Sequence, residues 1–483
     1  MERQDTRQLE SLFPFFTRTR TSHVYGTLPW IVLNALVIVP IFAYFLSTSE
    51  MSIFQISIGI LNLVCTASTD WIAKSVLRFY EQYKRFNKTD RFFSNIFLFE
   101  IISFITVFVT FFVFKNLICS KFYISQEVLL MTLILVIPCG IRQMLYQLLR
   151  IMRKTVLYTF SIIIYQITLL VLFLALSRIS NSVMMLFFAM TFAVCFIDLL
   201  ILYKLKLKEK ISLKFSKKLS AIIVVYAIPL VFTNICIWSI LHFGKFVFQF
   251  NKDFVGTAIV GTAWFFVSNA LTPLFSLLIF AIFPTIIRRF EKKYSVKNFM
   301  VSVLNSYIVM FFPFVAIFLL YFKDIEMLAF RDEYANLGLL LPFCAFTIFL
   351  HEFMKLMNMK YHMKNKTYIE TLISFVCAFI GICLYLVLIK HFGILGFGFS
   401  MIISMGLLLL ANSLVKFKYL NYLMPKKLFK CFLSSVLIAV ISYFIVFAIF
   451  FAFKNNFLII IKIILFLIIY SIIAYKFRKH IFS

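Results

Sequence analysis

The sequence predicts an all-α membrane protein with fourteen transmembrane helices. They form two six-helix halves in parallel orientation plus two additional C-terminal helices, with both termini cytoplasmic. Three observations predict this. Hydrophobic residues fill 63% of the 483 positions and charged residues only 14%, against roughly 45–50% and about 25% in soluble domains. Fourteen apolar runs follow one another, each near the roughly 20 residues that cross a bilayer. Lys and Arg cluster in alternate connections between those runs. With 65 Phe and only 12 Gly and 10 Pro, disordered, collagen-like and low-complexity chains are excluded.

The runs fall at about 27–47, 52–77, 94–116, 127–149, 155–177 and 183–203, then, after a lysine-rich break, at about 219–241, 255–285, 299–322, 335–354, 367–389, 394–415, 428–452 and 456–475. The expected organisation is a cytoplasmic N-terminal segment (1–26), an N-terminal half (27–203), a basic cytoplasmic linker (204–218), a C-terminal half (219–415), and two extra helices with a cytoplasmic tail (416–483). Residues 1–26 carry Arg3, Arg7, Arg18 and Arg20 without the short apolar stretch of a cleaved signal peptide.

Orientation follows from the basic residues. The N-terminus, the even-numbered connections and the C-terminus hold 37 Lys and Arg, among them Arg78, Arg142, Arg289, Lys355 and Lys360. The odd-numbered connections hold nine: Lys115, Lys121, Arg178, Lys245, Lys252, Lys323, Arg331, Lys390 and Lys454. Lys74 and Lys462 lie within spans. This asymmetry is the positive-inside rule. It assigns the formal charge of +29 to topology and anionic lipid rather than to nucleic acid. No outward connection exceeds roughly a dozen residues, which leaves no room for a soluble catalytic domain. The nine cysteines form no C-x-x-C pair and read as small packing residues.

A loose duplication runs through the chain. Pro29 precedes Asn34 by five residues in the first span, as Pro229 precedes Asn234 in the seventh. The next spans end in Arg78-Phe79-Tyr80-Glu81 and Arg289-Phe290-Glu291. Six spans separate the copies, so both halves share one orientation, as in parallel-repeat transporters with a site between the repeats.

Polar residues inside spans mark candidate sites, because ionisable groups there cost about 2.5–3.5 kcal/mol each on insertion scales. In span 2, Gln55, Gly59, Asn62, Thr66, Asp70, Lys74 and Arg78 share one helical face. Two readings stand: interhelical hydrogen bonding with a self-neutralised Asp70–Lys74 pair, or a cavity wall whose cations meet an anionic substrate. Span 8 presents Thr262, Asn269, Thr272 and Ser276, and span 7 aligns Tyr226, Asn234, Trp238, His242 and Lys245 towards the outer mouth. The expected substrate-binding set is Lys74, Arg78, Asn62, Asn34, Asn234, Asn269 and Lys245. Coupling candidates are Asp70, Glu100, Asp198, His351 and Glu352. Arg142, Lys355 and Glu370 read as snorkelling near the cytoplasmic face. A G-x-x-x-x-G-K-[ST] loop is absent, as are HExxH and GxSxG, so neither direct ATP use nor hydrolysis is expected. No cofactor or metal is expected; the energy source would be a proton or sodium gradient.

Several segments are similar to one known family. LSTSEMSIFQISIGI (46–60) with Arg78-Phe79-Tyr80 resembles the first helices of bacterial polysaccharide and O-antigen flippases, and YAIPLVFTNICIWSI (226–240) resembles their seventh. LVLIKHFGILGFGFSMIIS (386–404) resembles the family's join of a leucine-rich helix, a Gly-Ile-x-Gly element and the next helix. The anchors spread from about 28 to 420. The resemblance implies the multidrug/oligosaccharidyl-lipid/polysaccharide exporter superfamily. It further implies a flippase that moves undecaprenyl-diphosphate-linked oligosaccharide across the bacterial inner membrane for lipopolysaccharide or capsule. Membrane lipids, a polysaccharide polymerase and chain-length proteins are the partners it implies. Two departures stand out: Gly244-Lys245 replaces the usual acidic-basic pair, and Gly396-Phe397-Gly398 follows Gly393. The rival expectations are a cation-coupled drug antiporter of the same superfamily and a membrane polysaccharide polymerase.

Overall fold

The computed structural model describes residues 37–85, 89–152, 154–205, 217–291, 297–364, 366–415, 425–450 and 458–477. These residues form α1 (Val39–Phe45), α2 (Thr48–Ser68), α3 (Asp70–Arg85), α4 (Thr89–Phe122), α5 (Gln126–Ile151), α6 (Thr155–Ser177), α7 (Val183–Leu205), α8 (Lys217–Phe250), α9 (Phe254–Glu291), α10 (Lys297–Leu320), α11 (Phe322–Ala329), α12 (Leu341–Lys364), α13 (Thr367–Leu414), α14 (Pro425–Phe450) and α15 (Leu458–Lys476). Two short 3-10 turns, Asp332–Tyr334 and Gly338–Leu340, lie between α11 and α12. No strand occurs among the described residues.

Twelve of these helices are long and apolar enough to cross a membrane, which makes the chain a multi-pass membrane protein. One of them, α13, has 48 residues, about 72 Å at the helical rise and more than twice a hydrocarbon core. It turns back at Gly393, whose φ of +55° is open to glycine and strained for other residues. A side chain at Gly396 would run into the Leu388 carbonyl, so the reversal also needs a glycine there. These are the glycines of the 386–404 join.

The expected second span, 52–77, is not one helix. It breaks at Thr69 (φ −122°, ψ −31°), which separates α2 from the strongly amphipathic α3. Hydroxyls bond at the break: Ser68 Oγ donates to the Val64 carbonyl at 2.6 Å, and Thr69 Oγ1 lies within hydrogen-bond distance of the Cys65 carbonyl (2.9 Å) and Gln143 Oε1 (2.8 Å). Such back-bonding bends helices. Ser103 Oγ then donates to the Ser68 carbonyl at 2.8 Å. The polar face read from Gln55 to Arg78 is therefore split between two helices.

The chain packs as two compact units. The first is drawn from residues 22–262 and 365–400. Its turns are closed by caps. Ser47 Oγ accepts from the Glu50 N–H (3.2 Å), Ser125 Oγ from that of Val128 (3.2 Å), and Asp253 Oδ1 from that of Gly256 (2.8 Å). Glu50 Oε2 also accepts from the Val183 N–H at 2.7 Å, tying the start of α2 to the start of α7. In α8, Pro229 withholds a helical donor; its carbonyl accepts from Thr371 Oγ1 (2.8 Å) and Thr233 Oγ1 (3.0 Å). Burial separates inner from outer helices: most of α2 is buried, whereas the buried residues of α4 lie near its start and it turns Ile101, Ile105, Val109 and Val113 outward, as lipid contact requires.

The second unit is drawn from 263–364 and 401–483, together with residues 1–21, which lie outside the described residues. Tyr307, Phe275, Phe311 and Phe349 are packed against one another in edge-on and tilted ring contacts, with Tyr307 Oη donating to the Phe349 carbonyl at 2.9 Å. The C-terminal pair α14 and α15 docks on α10: Cys431 Sγ donates to the Asn305 carbonyl and Tyr470 Oη to that of Val309 (3.1 Å). The segment at about 323–334, expected as a plain connection, takes in most of α11 and the Asp332–Tyr334 turn with its wholly buried Tyr334, whose phenol burial holds above its usual pKa. The span expected from 335 has its helix only from Leu341, after the Gly338–Leu340 turn.

Candidate functional site

Two polar groups of residues interrupt the apolar interior of the first unit. One lies at the end that the charge pattern assigns to the outside. Gln55 stands seven residues into α2, Lys245 five before the end of α8, and Gly261 seven into α9. Lys245 is 3% exposed, and its Nζ donates to the Gln55 carbonyl at 2.7 Å. Trp238 Nε1 donates to the Gly59 carbonyl at 3.1 Å, and the Trp238 and His242 rings lie 5.8 Å apart. The seam needs glycines because a side chain at Gly59 would meet Lys245 Cε and the Phe246 ring, and one at Gly261 would meet the stem of Gln55.

The second group lies deeper. Asp70 opens α3 and is half-buried; Glu100 on α4 and Asp198 on α7 are buried, with no hydrogen-bond partner for their carboxyl oxygens among the described residues. Arg142, expected to snorkel, instead lays its guanidinium 4.4 Å above the Tyr165 ring, near Cys139 and within electrostatic reach of Asp198. Cys65 sits among Asp70, Glu100 and Arg142. Arg142 and Tyr165 thus lie beside the coupling candidate Asp198. A basic residue a full turn inside an apolar run was the available signal; its aromatic partner comes from another helix.

In the second unit, Lys355 Nζ lies 2.6 Å from Glu352 Oε1 and His351 Nδ1 lies 3.8 Å from it, with the Glu352 side chain wholly buried. Asn269 spends its amide on the Phe265 carbonyl of its own helix (2.8 Å). Asn234 is half-buried on α8, while Asn62 is exposed on α2. Lys74 and Arg78 lie on α3, but their side chains, like those of Asn34, Pro29 and Tyr226, fall outside the described residues, as does 206–216 of the linker.

An apolar cavity of roughly 480 Å³ between α6 and α7 is lined by Leu172, Leu176, Phe188 and Phe192 and contains no charged group. It is not the polar site. Among the described residues, no His, Cys, Asp and Glu cluster has the form of a metal site.

No protein-family model and no curated protein sequence matches the chain. Solved structures do. The lipid II flippase MurJ, in an inward closed conformation, is similar with a TM-score of 0.66 at 15% identity over 95% of this chain and 99% of that one. An inward-facing multidrug-resistance transporter of the MATE family, of the MOP superfamily, gives 0.62 at 12% identity over 79% of this chain and 92% of its own. The eukaryotic MATE transporter AtDTX14 gives 0.63 at 11% identity over 87% and 100%. The chain has the fold shared by the lipid II flippase and the MATE transporters of the MOP superfamily.

Proposed function

We propose that this protein flips an undecaprenyl-diphosphate-linked oligosaccharide, an O-antigen or capsule repeat unit, from the cytoplasmic to the periplasmic leaflet of the bacterial inner membrane by alternating access. The observation that carries this reading is extent. The likeness to the lipid II flippase takes in 95% of this chain and 99% of that one, whereas the two MATE likenesses take in 79% and 87% of this chain. A diphosphate with a polar glycan cannot enter hydrocarbon unaided. The amides and cations of α2, α3 and α8, Lys74, Arg78, Asn234 and Lys245 among them, are the groups we assign to the headgroup. Glu100 and Asp198, carboxyls buried among apolar helices, are our candidates for coupling to an ion gradient worth about 2.3 kcal/mol per elementary charge at 100 mV.

The test is reconstitution. Vesicles containing the protein should expose an undecaprenyl-diphosphate-linked oligosaccharide to an impermeant glycosidase on the far side, and protein-free vesicles should not. A deletion strain should lose surface polysaccharide while keeping its drug susceptibility. Loss of drug resistance with surface polysaccharide intact would replace this reading with the antiporter.

A further inference from the structure

Lys245 presents an ammonium buried in the first unit, and among the described residues no carboxylate lies within ion-pair distance of it. Its hydrogen-bond partner is a backbone carbonyl, that of Gln55 at 2.7 Å. A carbonyl dipole is a partial replacement for a water shell or a counter-ion around a full charge. The carbonyl contact does have a mechanical consequence. Lys245 on α8 reaches Gln55 on α2, whose stem rests on Gly261 of α9, and Trp238 clasps Gly59 one turn along. One ammonium therefore helps hold three helices together at the end assigned to the outside.

We infer that Lys245 is a hand-over cation, held by the Gln55 carbonyl while this end of the bundle is shut and transferred to phosphate oxygens of the lipid-linked headgroup when α2 and α8 part. The anion comes from the flippase reading above; the latch comes from the seam itself. A phosphate offers the ammonium a full negative charge in place of a dipole, and charge-assisted hydrogen bonds are roughly twice as strong as neutral ones. Substrate and closed seam thus compete for the same group. The bound anion favours the open end, and its departure lets the seam close.

Trp238 reports on this seam directly. A chain with Trp30, Trp71 and Trp264 replaced by Phe keeps Trp238 as its sole tryptophan, since the sequence has four. In nanodiscs without ligand, Lys245→Gln should shift Trp238 emission to the red, whereas Lys245→Arg should match the parent. Undecaprenyl diphosphate should red-shift the parent saturably and bind Lys245→Gln at least tenfold more weakly; undecaprenol, which lacks phosphate, should produce no shift. Gly59→Ala, whose new methyl displaces the lysine stem, should open the seam and keep or raise the diphosphate affinity. Parent-like ligand-free emission in Lys245→Gln, an unchanged midpoint, or an equal response to undecaprenol overturns the inference. If the three-Phe chain does not fold, melting-temperature shifts in the natural-tryptophan chain carry the same comparison. The flippase reading fails separately: a Lys245-dependent diphosphate response with no glycan translocation in vesicles sinks that reading alone, and translocation with an unaltered Lys245→Gln sinks only the hand-over.

Discussion

Lys360, near the end of α12, is 2% exposed and directs its ammonium to the carbonyl oxygens of Asn412 (2.5 Å) and Val415 (2.8 Å), at the C-terminal end of α13. The last carbonyls of a helix lack intrahelical donors and carry partial negative charge. A residue counted in the sequence as one more cytoplasmic cation is therefore the cap of a neighbouring helix. Lys360→Met should lower stability by about 1.5–3 kcal/mol, the range for hydrogen bonds to a charged group. A melting curve in detergent reads this, and an unchanged midpoint would show that the cap carries no load.

The reversal in α13 predicts an order of sensitivities. Gly393 has an unusual φ but open space around it, while a methyl at Gly396 meets the Leu388 backbone, which has nowhere to go. Gly393→Ala should cost about 1–3 kcal/mol for the positive φ combined with a ψ of −130°. Gly396→Ala should cost more and reduce the yield of folded protein. Size-exclusion profiles and melting points of the two variants, compared side by side, check the order; the reverse ranking contradicts it.

Thr233 and Thr371 share the Pro229 carbonyl and sit 2.8 Å from each other. Each change to Val should destabilise by about 1 kcal/mol. The double variant should cost less than the sum, because the two hydroxyls form one network. Strict additivity in a double-mutant cycle would show that the network is not a unit.

Glu100 and Asp198 separate stability from coupling. Glu100→Gln removes a buried charge-bearing group without changing its shape, so the fold should be kept or slightly strengthened. Gradient-driven translocation should fall about tenfold, a cost of about 1.4 kcal/mol in the barrier, if the carboxyl carries the coupling proton. Asp198→Asn is expected to behave alike. Initial rates in vesicles with and without an imposed pH gradient decide the matter, and rates that match the parent eliminate that carboxyl.

In α3, Lys74→Gln together with Arg78→Gln should abolish surface polysaccharide at normal protein levels. Each lost phosphate contact of this charge-assisted type is worth about 1.5–3 kcal/mol. Wild-type polysaccharide in a strain carrying only the double variant removes both residues from the substrate path.

Composition and the spacing of apolar runs were enough to determine that the chain is a helical bundle in a membrane, and to locate each described crossing helix, though not its ends. Helix α2 stops at Ser68 where the run continued to 77, and α8 runs on to Phe250 where the run stopped at 241. Hydrocarbon admits only backbones that satisfy themselves, so local hydropathy dictates the element. The Gly393 reversal was readable for a similar reason, since glycine there answers a backbone demand. Tertiary structure decided what the polar residues do. The break at Thr69 depends on Gln143 from another helix, the bending of Arg142 onto Tyr165 depends on α6, and the burial of Lys245 and Lys360 depends on carbonyls 190 and 52 residues away. Periodicity records which face of a helix is polar; it does not record which distant backbone group will meet that face, because the partner is fixed by packing across the bundle.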